Sequence, residues 1–430
     1  MEPRMGWNGC CPAHDPCPRH LAPEIAAAQR ERALHVDGAS TEALRETLDA
    51  RDLSRRGLVR LAGLAGASGA FVTGAAFAEQ KPPHPVKAGR PVFDPRPTGK
   101  VHVLPSTPET VRVGVMDPSL PSALEIESGD VVHYPHTWVN WANEAKLGMS
   151  FAEREPIRKK YAALGPYSLI GPVTVKGAEP GDVIECRMLR LKPIAWGWNS
   201  APKGVGALPT EFSEPYLHYL TFDAARTHTD FAAGVRIPLK PIQGVMAVQP
   251  AGDKPVNAML SGAYGGNIVL SELVEGTSLF LQVQVPGGRV WTGDSHAAQG
   301  DGVVDQTAIE TAMEDLRIQY VLHKKVTLGA PIAETPTHWI VLGFGEDLES
   351  ALTASLRQSI DWISAATGLA RVDVYALLSI VGSFRITQYS HQTSSNYTTI
   401  PGKTVHGMLP KSVFDPDRLR QIARSVRPGG

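Results

Sequence analysis

Cysteine is almost missing from most of this chain: Cys10, Cys11 and Cys17 crowd the N-terminus and Cys186 stands alone in the remainder. One thiol cannot close an internal disulfide, so the fold does not depend on an oxidising compartment. An excess of charge of one sign is missing too, with 42 Lys+Arg against 43 Asp+Glu. That balance excludes a general electrostatic draw to nucleic acid or to an anionic membrane, and it leaves a small, neutral or weakly polar substrate as the expected partner. Aromatic residues are scarce at 7%, while Gly 41 and Pro 35 are plentiful. Such punctuation favours many short strands and turns over a helix bundle. The cluster Cys10, Cys11, His14, Cys17, His20 has atoms that suit a soft metal, but it lacks paired ligand modules and sits in a Pro-rich stretch.

Long uncharged runs are also rare. The exception is Leu61 to Ala78, rich in Gly and Ala and too weakly apolar for a stable membrane span. It follows Ser54-Arg55-Arg56-Gly57-Leu58-Val59-Arg60 and ends in Ala76-Phe77-Ala78 before Glu79. The order of parts resembles a cleavable twin-arginine signal, which implies engagement of that export machinery and a periplasmic or secreted product. The region before Arg55 is longer than such a signal needs.

Residues 1–78 are therefore expected to be an N-terminal extension with its signal peptide, and residues 79–108, which hold eight prolines from Pro82 to Pro108, a tether. Short β-branched runs alternate with turn signals over 109–330, predicting a sandwich- or barrel-like catalytic domain. Leu348, Leu352, Leu356, Ile360 and Ile363 recur at helical spacing before Gly368, and 372–381 reads as a second apolar helix. The fold class expected is α+β, mainly β, with 331–415 a mixed α/β portion of the same unit and 416–430 a tail.

The run Gly293-Asp294-Ser295-His296-Ala297-Ala298-Gln299-Gly300-Asp301-Gly302 packs carboxylates and an imidazole between glycines. Asp294 and His296, at i and i+2, share a face if the run begins in a strand, a workable geometry for two ligands of one metal ion. Asp301 and Glu310 then serve as proton acceptors. The plainer alternative makes the aspartates turn residues and His296 a satisfied buried imidazole. Cys186 lies in an alternating strand and reads as packing rather than nucleophile. Ser394 and Ser395 lie near His391, but no Gly-x-Ser-x-Gly elbow is present.

Three stretches together resemble the acetamidase/formamidase family: Gly171 to Asp182, Ile237 to Pro241 with Gly244-Val245-Met246, and Gly293 to Gly302 with Thr307 to Glu310. The likeness runs from about Pro105 to Phe414. It implies a β-rich, commonly dimeric amidase that releases a carboxylate and ammonia from short linear amides. On that resemblance the metal ligands are Asp294 and His296, with His136 as a recruited third ligand whose equal alternative is a surface or interface histidine beside Trp138 and Trp141; the catalytic group is Asp301, Glu310 and Gln299, and the cofactor is a divalent ion, zinc by its mixed N/O ligation. His136 is preferred to His133 because it follows the strand break at Pro135, and Glu144 is a further candidate acid. The sequence departs from the family pattern at Tyr264, Val269 and Val303, where His, Asp and Glu are usual. Those departures leave open a shifted substrate, such as a lactam or bulkier amide, or a binding protein without hydrolase activity.

Overall fold

Side chains alternate across a strand, so one strand can serve two cores at once. Val183–Pro193 does so: Ile184, Cys186 and Met188 pack with Leu279, Leu281, Ile340 and Leu342, while Val183 packs with Phe280, Trp339 and Val341 on the opposite face. This strand lies within a nine-stranded sheet ordered Val101–Val103, Val131–Pro135, Met313–His323, Val183–Pro193, Ser278–Gln282, Ile332–Glu334, His338–Gly345, Lys403–Pro410 and Ser383–Gln388. A second, ten-stranded sheet runs from Ser261–Gly262 through Gly265–Asn267, Ile242–Ala247, Val290–His296, Glu310–Thr311 and Trp196–Ala201 to Tyr216–Thr221. Ser168–Val175 joins it by pairing with Val290–His296, and brings Val111–Val113 and Leu124–Ile126 with it. Ile170, Val173, Met246 and Val290 of this sheet share the main core with the first sheet, which makes the centre a β-sandwich.

The computed structural model describes residues 91–94, 99–212, 214–389 and 397–429, all within the unit Pro83–Gly430. The twin-arginine segment, the early Cys/His cluster and His391, Ser394 and Ser395 lie outside the described residues.

Helices cover the outer face of the nine-stranded sheet. Helix α1, Phe151–Lys160, stands apart beside the second sheet, while α2 (Leu348–Thr367), α3 (Arg371–Val381) and α4 (Pro416–Val426) contribute Ile363, Val374, Leu378, Ile422 and Val426 to the outer core. α2 starts at an Asp347 cap and stops at Gly368 in the left-handed conformation, as its spacing predicts.

The boundaries expected from the sequence need correction. The stretch assigned to a tether already holds the strand Val101–Val103, paired parallel to Val131–Pro135. The stretch assigned to a tail holds α4, whose Ile422 and Val426 are fully buried. Residues on both sides of 330/331 supply strands to the nine-stranded sheet, in keeping with one unit there. Cys186 is buried, and burial pushes its thiol pKa far up, consistent with a packing role.

Candidate metal centre and cavity

Every residue of the strand Val290–His296 is buried, so polar side chains within it need partners. Asp294 and His296 find each other: His296 Nε2 lies 3.2 Å from Asp294 Oδ2. Asp294 has φ +56, in the left-handed region that Asp tolerates better than most residues. The backbone opposite can come close because Gly244 has no side chain there: a Cβ at Gly244 would stand 2.5 Å from Asp294 Oδ2 and 3.1 Å from His296 Cε1. Antiparallel pairing then sets Glu310 directly across from His296, with Glu310 Oε1 3.3 Å from His296 Nε2.

Two amide side chains fix this trio. Asn140 Nδ2 donates to Asp294 Oδ1 and to Glu310 Oε2, both at 2.9 Å, which turns Asp294 Oδ2 and Glu310 Oε1 toward the imidazole. Both amide hydrogens are thereby spent, and Asn140 is a positioning residue. Gln299 Nε2 donates to the Val269 carbonyl, so its Oε1, 2.8 Å from His296 Nδ1, must accept. That sets Nδ1 as the protonated nitrogen and aims the other ring nitrogen at the two carboxylate oxygens. Nε2 is buried and has no hydrogen-bond partner.

A nitrogen lone pair facing two carboxylates is repulsive unless a positive charge lies among them. A proton meets the need in part: burial alone would lower the His296 pKa, but Glu310 and Asp294 hold it well above the usual histidine range. Burial, reinforced by Asp294 and opposed by His296, raises Glu310 above the usual carboxylate range. A divalent ion meets the need more fully, since one imidazole nitrogen and two carboxylate oxygens within 4.8 Å of one another form a mixed donor set suited to zinc-like ions. The residues present fit such an ion.

The trio opens on a cavity of about 80 Å³. Its walls carry Trp141, Phe151, Tyr167, Trp198, Val269 and Val303, with Arg154 and Arg158 reaching in from α1. Tyr167 is partly buried, and desolvation together with the charges of Asp294 and Glu310 raises the pKa of its hydroxyl well above the usual range and keeps it protonated. Val269 and Val303 have φ +38 and +46. Such angles are strained for β-branched residues, by about 1–3 kcal/mol each. Both valines stand on the cavity wall, while Tyr264 does not line it.

Of the expected site residues, Asp294, His296 and Glu310 come together, and Gln299 supports them from behind. The other two do not join. His136 is exposed, its backbone nitrogen bonded to the Glu314 carbonyl 3.1 Å away, because Pro135 ends the strand and the left-handed His136 turns its side chain outward. From this segment it is Asn140 that reaches the trio, as a hydrogen-bond donor and not as a ligand. Asp301 is exposed and belongs to a separate group with Glu272 and His406, bonded at 2.7 Å to Ser271. His133 pairs with Asp315 and Glu144 with Lys160 and Tyr161, away from the trio. Sequence reasoning missed Asn140, Tyr167 and Arg154.

A β-sandwich with a buried carboxylate–imidazole trio at the floor of an apolar cavity defines a metal-competent enzyme-like site. The acetamidase/formamidase family model matches residues 117–263 and 261–416, and the chain belongs to that family. Solved acetamidases from Bacillus halodurans and Yersinia enterocolitica each show 25% identity and a TM-score of 0.64, covering 73% and 75% of this chain and 98% and 96% of theirs. A Schizosaccharomyces pombe protein carrying a provisional formamidase name is 24% identical over 191 residues, 32% of this chain and 47% of that protein. The match thus spans about half the length of that curated relative.

Proposed function

We propose that this protein hydrolyses the C–N bond of a non-peptide amide to a carboxylate and ammonia, at the Asp294–His296–Glu310 trio. The observation that carries this reading is the unpartnered His296 Nε2 aimed between two buried carboxylate oxygens beside a substrate-sized cavity. Asp294 and His296 would hold a divalent ion, zinc by donor type, which when bound would supply Lewis acidity toward water and the amide carbonyl. Glu310, with its raised proton affinity, takes a proton from water at Oε1 and delivers it to the departing nitrogen. The amide C–N bond breaks as a C–O bond from water forms. Tyr167 offers a protonated hydroxyl to the developing oxyanion. Asn140 and Gln299 hold the carboxylates and the ring in register.

The apolar wall made by Val269 and Val303 favours an acyl group bulkier than that of formamide or acetamide. We also infer that the chain works as an exported homodimer, with Arg55 and Arg56 as its export signal. His296→Ala and Asp294→Ala are expected to lose bound metal and ammonia release together, while Glu310→Gln keeps metal and loses about 10²- to 10⁴-fold in rate. Elemental analysis with an ammonia assay decides: full metal content in the first two variants sinks the ligand assignment, and a near-normal rate in the third sinks the proton role.

A further inference from the structure

Orphaned hydrogen-bond donors cluster on one side of the cavity. Arg154 is 5% exposed, and only its Nε has an acceptor, the Tyr219 hydroxyl at 3.1 Å. Its Nη1 and Nη2 are buried without partners, and so is Nε1 of Trp198, which is fully enclosed. Both residues line the cavity. The guanidinium lies over Trp198 at 4.3 Å from the ring centroid and over Tyr219 at 4.9 Å. Ring faces compensate a cation weakly compared with an ionised acceptor, and a buried guanidinium without one is costly.

Charge bookkeeping points the same way. Glu310 is the one carboxylate whose charge acts on Arg154, and a divalent ion held by the trio would offset both it and Asp294. Arg158, the other cation on the wall, bonds Glu155 at 2.5 Å. Among the described residues no carboxylate pairs with Arg154. The wall therefore offers an unneutralised fork of N–H groups, planar and matched to a carboxylate.

We propose that the substrate is an amide that also bears a carboxylate, gripped by Arg154 with the Trp198 indole N–H beside it while the amide end meets the trio. This deepens the amidase reading and rests on it. The chain's balanced composition pointed to a neutral substrate, because bulk charge says nothing about one enclosed arginine. At about 10–15 Å³ for each water-sized group, the cavity's volume of about 80 Å³ suits a short chain such as succinamate. Hydrolysis of succinamate gives succinate and ammonia, so the reaction that supplies the substrate would be one that makes half-amides of dicarboxylic acids.

The test compares ammonia release from succinamate and from butyramide by the metal-loaded full protein, with Arg154→Met and Arg154→Lys. Succinamate is expected to be preferred by at least about tenfold in kcat/KM, and Arg154→Met to lower that preference by roughly ten- to a hundredfold, mostly through KM. Calorimetry with succinate gives a readout apart from turnover: wild type binds, Arg154→Met binds at least about tenfold more weakly, and Arg154→Lys lies between. Equal turnover of both amides, or an equal loss on both in Arg154→Met, would overturn the carboxylate role. A lower melting temperature in Arg154→Met with unchanged succinate binding would assign Arg154 to stability instead. If no amide releases ammonia the amidase reading fails, and succinate calorimetry still decides what Arg154 holds.

Discussion

Gly244 shows how much of the site depends on one missing methyl group. The extra carbon of Gly244→Ala would press on Asp294 Oδ2, and the fully buried strand beside it has no room to yield. Overpacking of this kind costs about 1–3 kcal/mol. The expected outcome is a lowered melting temperature together with weakened metal binding, checked by thermal melts and a metal titration. Melting and affinity both at wild-type level would mean that the contact relaxes freely. Asp294, His296 and Glu310 were legible through the family resemblance of the stretches that hold them; residue types alone left a turn-and-core reading equally open, and Asp301, set between two glycines, does not join the trio. Asn140 was not. A neutral amide carries no chemical signature, and 154 residues separate it from Asp294. His136 drew notice as an imidazole, yet the turn after Pro135 sends it to solvent.

At the scale of elements, periodicity located α2 and part of its packed face, with Leu356, Ile360 and Ile363 on the outer core, but not the small residues buried beside them. Ala351, Ser355, Ser359 and Thr367 lie buried with Ile363, whereas Leu352 is 40% exposed. The reason is close approach: α2 lies against Gly343 and Gly345, where any side chain would meet the helix backbone at Ala351 or collide with Ser350 and Ser355. Small residues win at such a contact, and hydrophobicity alone cannot reveal it. α1 escaped notice because Pro156 and its charged surface obscure the pattern, although the Ser150–Glu153 capping box was there to find. The proposed N-terminal signal is an element of another kind, read from order and composition. Changing Arg55 and Arg56 together to Lys is expected to leave uncut precursor in the cytoplasm. Fractionation and N-terminal sequencing check it, and mature protein beginning at Glu79 in the periplasm would refute the export proposal.

For the whole molecule, the sandwich and its helical cover are tied together through Glu185. This fully buried carboxylate accepts from Arg427 at 2.6 Å and Ser278 at 2.7 Å, and lies 3.0 Å from Arg187 and 2.9 Å from His323. Burial would raise its pKa, but His323, Arg427 and Arg187 hold it far below the usual carboxylate range. A depressed folded pKa stabilises the protein above the unfolded value of about 4.3, and that contribution is lost as pH falls further toward the folded one. Melting temperature is therefore expected to drop steeply below about pH 4 for this reason. Arg427→Met should cost about 3 kcal/mol at neutral pH, the lower end for breaking a buried pair, since Arg187 and His323 remain. Denaturant melts at pH 7 measure it, and a loss near zero would show that Arg427 is dispensable to the anchor. None of this was legible in a segment read as a tail, because a lone arginine there looks solvated until α4 is docked.

The trio itself is local in the chain, on two neighbouring strands, but its supports are distant: Asn140 meets Glu310 across 170 residues, and Trp141 on the cavity wall meets the Tyr397 hydroxyl across 256. Contacts so far apart form late, because loop closure must precede them. The three donors can therefore meet as soon as Val290–His296 pairs with Glu310–Thr311, whereas the Asn140 bonds that orient both carboxylates wait for the rest of the sandwich. An ion bound at the proposed site would thus be held weakly by an unfinished chain and at full strength only once the sandwich has closed around Asn140.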